Sequence, residues 1–301
     1  MKLDPAQLAA LSAILRTGGF DAAAHELGVT QSAVSQRLRT LEDRIGAQLV
    51  NRSQPCTGTE TGRRLAAHAE QVGVLEAHLA RDIAALAPAP DTRLRIAVNA
   101  DSLATWVLDA LADLPGPMFS LVIDDQDVSA DWLRRGEVVG AITANAAPVA
   151  GCDAVALGAL RYIPTASPTF IDQFFPNGVT AAAITRAPML RFNAKDRLQH
   201  RWITQYLGAA ISPPFHDIAS SHGFVRAACL GLGWGLNPEH LIREELTTGA
   251  LVPMLPDSPM DTPLYWQSSR LFGPALAPLT VAMRRAARAY LRPPDPETQQ
   301  D

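Results

Sequence analysis

The chain has 301 residues, a formal net charge of −4, 48% hydrophobic and 19% charged residues. That length exceeds one small domain, and that composition supplies a sizeable core rather than a disordered chain. Three scattered cysteines (Cys56, Cys152, Cys229), no long apolar run and no leader-like segment argue against a disulfide framework, a zinc site and a membrane span, and predict a cytoplasmic protein.

An opening helix is expected over 4–16, with Leu8, Leu11 and Leu15 on one face and Gly18-Gly19 as its stop. The segment at 20–52, FDAAAHELGVTQSAVSQRLRTLEDRIGAQLVNR, then places residue types where a helix-turn-helix reader of DNA needs them. Ala24 is small enough for two helices to cross closely, and Gly28 can take the positive φ of a sharp turn. Thr30 is a good N-cap for the second helix. Val34, Leu38, Leu41 and Ile45 form one apolar stripe at i, i+4, i+7 and i+11. The opposite face carries Gln31, Ser32, Ser35, Gln36, Arg37 and Arg39, which can reach phosphates or base edges. A plain helical hairpin with a solvated polar face is the competing explanation. An acid-free outer face followed by a basic stretch weighs against it.

The overall negative charge is compatible with nucleic acid once it is localised. Between positions 31 and 64 there are six arginines (37, 39, 44, 52, 63, 64) and three acids (Glu42, Asp43, Glu60). Gly46 should end the recognition helix. The turn-rich stretch LVNRSQPCTGTETG at 49–62 reads as a β-wing, with Arg52 at its base. From 63 to about 87 the pattern is helical again, and Leu65, Val72, Leu79 and Leu86 recur every seventh residue. That spacing predicts a helix that pairs two subunits, followed by a hinge at PAPD (88–91); an amphipathic helix packed on its own domain would look similar.

Beyond the hinge, strands are expected over 94–98, 119–125 and 138–144, separated by helices opening at Asp101-Ser102 and passing through Trp132. Further units are expected around 154–165, 188–192, 224–230 and 263–267. The final helix is placed at 274–291, before a polar tail. Alternation of this kind predicts an α/β domain with a mainly parallel sheet. Ligands of such sheets settle beyond the carboxyl ends of the strands. One such edge carries Asp101 and Ser102, at a helix start that could seat a carboxylate. Another carries Asp124, Asp125 and Asp127, and Asp124 or Asp125 could pair with an ammonium or guanidinium group. Ser220 and Ser221, in SSHGF (220–224), could supply hydroxyls from across the cleft; helix capping is the alternative for them. Arg191 suits a surface salt bridge better than a ligand. No P-loop, G-x-S-x-G, H-E-x-x-H or Rossmann fingerprint is present, so neither catalytic nor metal-ligating residues are assigned.

On these residues the first sixty-odd positions resemble the winged helix-turn-helix of LysR-type transcriptional regulators. TQSAVSQR (30–37), NADSLATW (99–106), LRRGEVVGA (133–141), FPNGV (175–179) and LYW (264–266) are similar to the ArgP/LysG branch of that family. The matches are spread over almost the whole chain. One departure is QPCTGTETG (54–62), standing where that branch carries a wing richer in proline and arginine.

The resemblance implies an α+β architecture with a winged helix-turn-helix at 1–62 and a linker, dimerisation helix and hinge at 63–90. It implies a periplasmic-binding-protein-like effector domain at 91–293, with subdomain I near 91–163 and 268–293, subdomain II near 164–267, and a tail at 294–301. It further implies a homodimer or homotetramer that binds double-stranded, pseudo-palindromic DNA. Such a regulator senses L-lysine or L-arginine, controls an amino-acid exporter gene, admits RNA polymerase as a partner and needs no cofactor beyond the effector. An enzyme or solute-binding α/β domain fused to a DNA-binding module is the alternative.

Overall fold

The structure, a computed structural model, describes residues 3–82, 93–124 and 129–293, with side chains of the long helix described as far as Glu76. The hinge at 88–91, Leu86, Asp125 and the tail lie outside the described residues, as does the side chain of Leu79.

Three short-range helices open the chain: α1 (Pro5–Thr17), α2 (Phe20–Leu27) and α3 (Gln31–Ile45). Each boundary has a local cause. The Asp4 carboxylate accepts from the Ala6 and Gln7 N–H groups ahead of Pro5, closing the start of α1. Gly28 turns the chain out of α2 with φ +62°, and the Thr30 hydroxyl accepts from Ala33 N–H at 3.2 Å to start α3. Gly46 caps α3 in the left-handed conformation. Val34, Leu38 and Leu41 are buried against Leu11, Ile14 and Ala24, so the apolar stripe is the inward face of α3. The strands β1 (Val50–Asn51) and β2 (Thr57–Gly58) form a two-stranded antiparallel wing.

Helix α4 (Glu60–Asp82) starts three residues earlier than expected, because Thr59 caps it through its hydroxyl to Gly62 N–H. Gly62 tolerates no side chain there: a Cβ would stand 1.9 Å from the Leu49 carbonyl oxygen. The two ends of the helix serve different neighbours. Ala66 belongs to the winged-helix core, with Leu65 packed partly against it, whereas Val74 is buried with Leu94 and Ile96 of the following domain. The Gln71 amide donates to the Gly136 carbonyl at 2.6 Å, fastening the helix to that domain.

The remainder comprises β3 (Arg93–Val98), α5 (Ala100–Ser102) running through a π-helical turn at Leu103–Val107 into α6 (Leu108–Ala112), β4 (Met118–Ile123), α7 (Ala130–Arg134), β5 (Gly140–Thr143), β6 (Cys152–Ala166), α8 (Pro168–Phe174), α9 (Ala181–Ile184), β7 (Met189–Arg191), α10 (Leu198–Leu207), β8 (Phe215–Asp217), α11 (Ser221–Cys229), β9 (Gly235–Pro238), α12 (Arg243–Thr248), β10 (Val252–Pro253), β11 (Met260–Ser269) and α13 (Gly273–Tyr290). The large sheet runs β10-β6-β11-β5-β3-β4, with β9 also on β6. Only β3–β4 and β3–β5 are parallel; β5–β11, β11–β6, β6–β9 and β6–β10 are antiparallel. The expected mainly parallel sheet is therefore a mixed one. The long strands β6 and β11 carry the chain out to a second half and back, and their mutual pairing is necessarily antiparallel. The unit expected around 224–230 is the body of α11.

Candidate functional sites

Two sites emerge, one on α3 and one between the halves of the C-terminal domain. On α3 the buried stripe fixes which side chains point outward: Gln31, Ser32, Gln36 and Arg39 are exposed, and Ser35 and Arg37 half-buried. Thr30 and Ser32 hydroxyls lie 3.0 Å apart at its start. Among the described residues, neither Arg37 nor Arg39 takes part in an ion pair, so both cations remain available to phosphates or bases. Arg52 is exposed at the base of the wing, its guanidinium 5.5 Å from the centre of the Phe20 ring.

The second site is a cleft of about 140 Å³. Because β3 and β4 are parallel neighbours, both carboxyl ends open on the same edge. The end of β3 delivers Asn99 and Asp101, and the end of β4 delivers Asp124. From the second half come Ser221 at the start of α11, Asp196 and Gln199 around the start of α10, and Asn237 of β9. The crossover strand β6 adds Tyr162.

Asp101 ties these parts together. Its two oxygens accept from the Ser221 hydroxyl at 2.6 Å and from the Tyr162 hydroxyl at 2.8 Å, so one carboxylate contacts both halves and a crossover strand. Burial pushes its carboxyl above the ordinary range; the two hydroxyl bonds work against that rise and Asp196 adds to it. Asp124 accepts from the Trp132 indole N–H at 3.0 Å on one oxygen and lies 3.0 Å from the Lys195 ammonium on the other.

The cleft wall is short of donors. Asn99 Oδ1, Gln199 Oε1 and Asn237 Oδ1 are buried with no hydrogen-bond partner, and their side chains are 3%, 2% and 0% exposed. Buried acceptors without donors cost about 1–3 kcal/mol each. Three of them beside the carboxylates of Asp101, Asp124 and Asp196 suit a donor-rich, positively charged ligand. Arg197 and Arg201, both exposed and outside any ion pair among the described residues, stand on the lip. They can receive a carboxylate.

Of the effector residues expected from sequence, the cleft gathers Asp101, Asp124 and Ser221. Ser102 is buried beside it but does not line it, and Ser220 caps α11 through Gly223 N–H at 3.1 Å. The helix start at Asp101 therefore presents a carboxylate to the cleft, which suits a cation better than the carboxylate first expected there. Arg191 forms the expected surface pair, a fork with Asp217 at 2.7 and 3.0 Å. Sequence reasoning did not identify Gln199, Asn237, Tyr162 or Asp196 as cleft residues, nor Lys195 as the partner of Asp124. None belongs to a motif, and only the pairing of β6 with β9 and the packing of α10 bring them to the edge.

Residues 5–63 match the model of the bacterial regulatory helix-turn-helix protein, lysR family, and residues 87–288 match the LysR substrate binding domain. The HTH-type transcriptional regulator ArgP of Pseudomonas fluorescens is 45% identical over 296 residues, covering 96% of this chain and 98% of its own. The crystal structure of ArgP from Mycobacterium tuberculosis is similar at 43% identity and a TM-score of 0.76, covering 97% of this chain and 100% of its own. Full-length LysG from Corynebacterium glutamicum, solved with bound effector Arg, is similar at 37% identity and a TM-score of 0.65, with the same two coverages.

Proposed function

Since the chain belongs to the LysR family, as a transcriptional regulator of the ArgP/LysG type, we propose that its effector is a basic amino acid, L-lysine or L-arginine, bound in the cleft at Asp101 and Asp124. The observation that carries this reading is the excess of acceptors: three residues with an unpartnered amide oxygen and three carboxylates line one small cleft. An α-ammonium and a side-chain cation supply the missing donors, and Arg197 or Arg201 receives the α-carboxylate. The arginine bound by the LysG relative has this chemistry.

The output end is α3. Gln31, Ser32, Ser35, Gln36, Arg37 and Arg39 enter a major groove, with Thr30 at the helix start and Arg52 of the wing on phosphate. The helix expected over 63–87, of which α4 is the described part, pairs two subunits through Leu65, Val72, Leu79 and Leu86. Val72 follows Leu65 by about two turns and Val74 by about two and a half, so Leu65 and Val72 lie opposite the face that Val74 buries in its own chain. Two such helices place two recognition helices on a pseudo-palindromic operator, as a dimer or a tetramer. An amino-acid exporter gene is the target, and RNA polymerase is engaged there, in the cytoplasm. No described helix is long and apolar enough to cross a membrane. The alternative of an enzyme or solute-binding unit joined to a DNA module gives way, because the relatives are regulators along nearly their full length.

A thermal-shift panel of the common amino acids on the purified full chain tests the effector. Lysine or arginine should raise the melting temperature and neutral or acidic amino acids should not, since a ligand that prefers the folded state stabilises it by mass action. A panel without a response to either basic amino acid overturns the reading.

A further inference from the structure

The chain has twenty-four arginines and two lysines, Lys2 and Lys195. One of those two lysines reaches a carboxylate of the cleft wall. Its ammonium is 3.0 Å from Asp124 Oδ1, across 71 positions of sequence and across the gap between the two halves. Its place is built by the turn between β7 and α10. Lys195 N–H donates to the Asn193 side chain at 2.8 Å, and both Asp196 oxygens are held by the N–H groups of Phe192 and Leu198, each at 2.9 Å. The backbone that presents the ammonium is thus pinned at three points, while the side chain itself is 55% exposed and free to swing out. On the other side, Asp124 is held by the Trp132 indole through its second oxygen.

A primary ammonium on an unbranched stem is the same group that free lysine carries on its side chain. We propose that Lys195 is a tethered competitor for the cation seat: it occupies Asp124 in the absence of effector, and the effector's own cation displaces it. This inference rests on the reading of the cleft as a basic-amino-acid site, and it adds a residue that sets both affinity and selectivity.

The physical case is one of balance. An ion pair this exposed is weak, so a ligand can exchange for it at small cost. An arginine at the same position would form a two-point fork with the carboxylate and resist exchange. Lysine, used almost nowhere else in the chain, gives the weaker plug. Exchange also discriminates among ligands. A neutral amino acid brings no cation, leaves the Lys195–Asp124 pair intact and gains nothing at that end of the cleft. A basic one replaces the pair with an equivalent and frees one of the ties between the two lips, leaving the Asp101–Ser221 bond as the other, so the relation of the halves can differ when effector is bound.

The test is calorimetric titration of the full-length protein with L-lysine and L-arginine, comparing wild type, Lys195→Met, Lys195→Arg and the double variant Asp124→Asn/Lys195→Met against Asp124→Asn alone. Removing the ammonium while keeping the stem should tighten binding of both ligands by about 1.5-fold to fivefold, the range expected for an exposed pair. Lys195→Arg should bind no tighter than wild type. In the Asp124→Asn background the gain from Lys195→Met should vanish, since nothing is left to compete for. Unchanged or weaker binding by Lys195→Met overturns the competitor, even if wild type binds both amino acids normally. If folded wild type binds neither amino acid, the basic-amino-acid reading itself fails and takes the competitor with it. Circular dichroism melts of each variant establish that the comparisons are made on folded protein.

Discussion

The indole of Trp132 is joined to Asp124 by a 3.0 Å hydrogen bond, while the guanidiniums of Arg135 and Arg95 stand 4.7 and 5.6 Å from its ring centre. One side chain therefore touches a carboxylate of the cleft at its polar end and two arginines through its ring. Arg95 also lines the crevice beneath α4, together with Glu70 of that helix. The carboxyl of Glu70 is pushed up by burial, against the opposing pull of Arg95, Arg16 and Arg93. The cleft carboxylate and the linker helix are thus connected through Trp132 and Arg95 by contacts of known kind.

Trp132→Phe keeps an aromatic ring for the two arginines and removes only the N–H. Asp124 then loses a charge-assisted donor, a bond worth about 1.5–3 kcal/mol. Calorimetry should show L-lysine and L-arginine binding weakened by about tenfold or more, with the far-ultraviolet spectrum unchanged. Wild-type affinity in this variant would mean that the indole does not orient the carboxylate.

Asp101 makes a prediction about pH. Its folded-state carboxyl is raised above the ordinary value, so the folded protein holds that proton more tightly than the unfolded chain does. Stability from this group is present in full below the unfolded value of about 3.9. It is lost as pH rises through the raised folded value. Asp101→Asn abolishes the titration. Urea unfolding should show the variant gaining stability relative to wild type as pH rises, while its affinity for L-lysine falls at neutral pH. Parallel stability–pH curves for the two proteins would rule out the burial cost.

The difference between what was legible and what was not has a physical basis in these residues. Gly28, Thr30 and the Val34–Leu38–Leu41 stripe act within a few residues of one another, and periodicity and capping reveal them directly. Asp101 and Asp124 were legible as strand-end residues because β3 and β4 are parallel neighbours in sequence and in space. Gln199 and Asn237 were not. Asn237 reaches the cleft because β9 pairs with β6 at Ile163, and Gln199 because α10 packs beneath it; both depend on long-range pairings that leave no local pattern. The mixed sheet was hidden for the same reason, since the return strand β11 pairs with β6 about a hundred residues away.

Helix α4 allows two neighbouring substitutions to be set against each other. Val74 is 2% exposed inside the core of its own chain, whereas Val72, on the other face, is only half-buried. Val72→Asp should leave the monomer folded and break subunit pairing on a sizing column. Val74→Asp places a charge in the core and should lower the melting temperature, because an unpaired buried charge is among the largest single destabilising changes. A persistent dimer in Val72→Asp, with its melting temperature unchanged, would move the pairing surface away from the stripe.

Arg39 is exposed on the outer face of α3 and free of ion pairs among the described residues. Arg39→Ala should weaken binding to the operator without changing the affinity of the full chain for lysine, since the cleft lies on other elements. The salt dependence tells which part of DNA it meets. If Arg39 neutralises a phosphate, the slope of log affinity against log salt should fall by about 0.9, and all sequences should weaken alike. If it reads a base edge, the slope should change little, and discrimination against a changed base pair should relax by about 1–3 kcal/mol. Fluorescence anisotropy at several salt concentrations, on the operator and on a scrambled duplex, separates the two. Unaltered affinity for both duplexes would take Arg39 out of the interface and leave Gln31, Ser32 and Gln36 to read the groove.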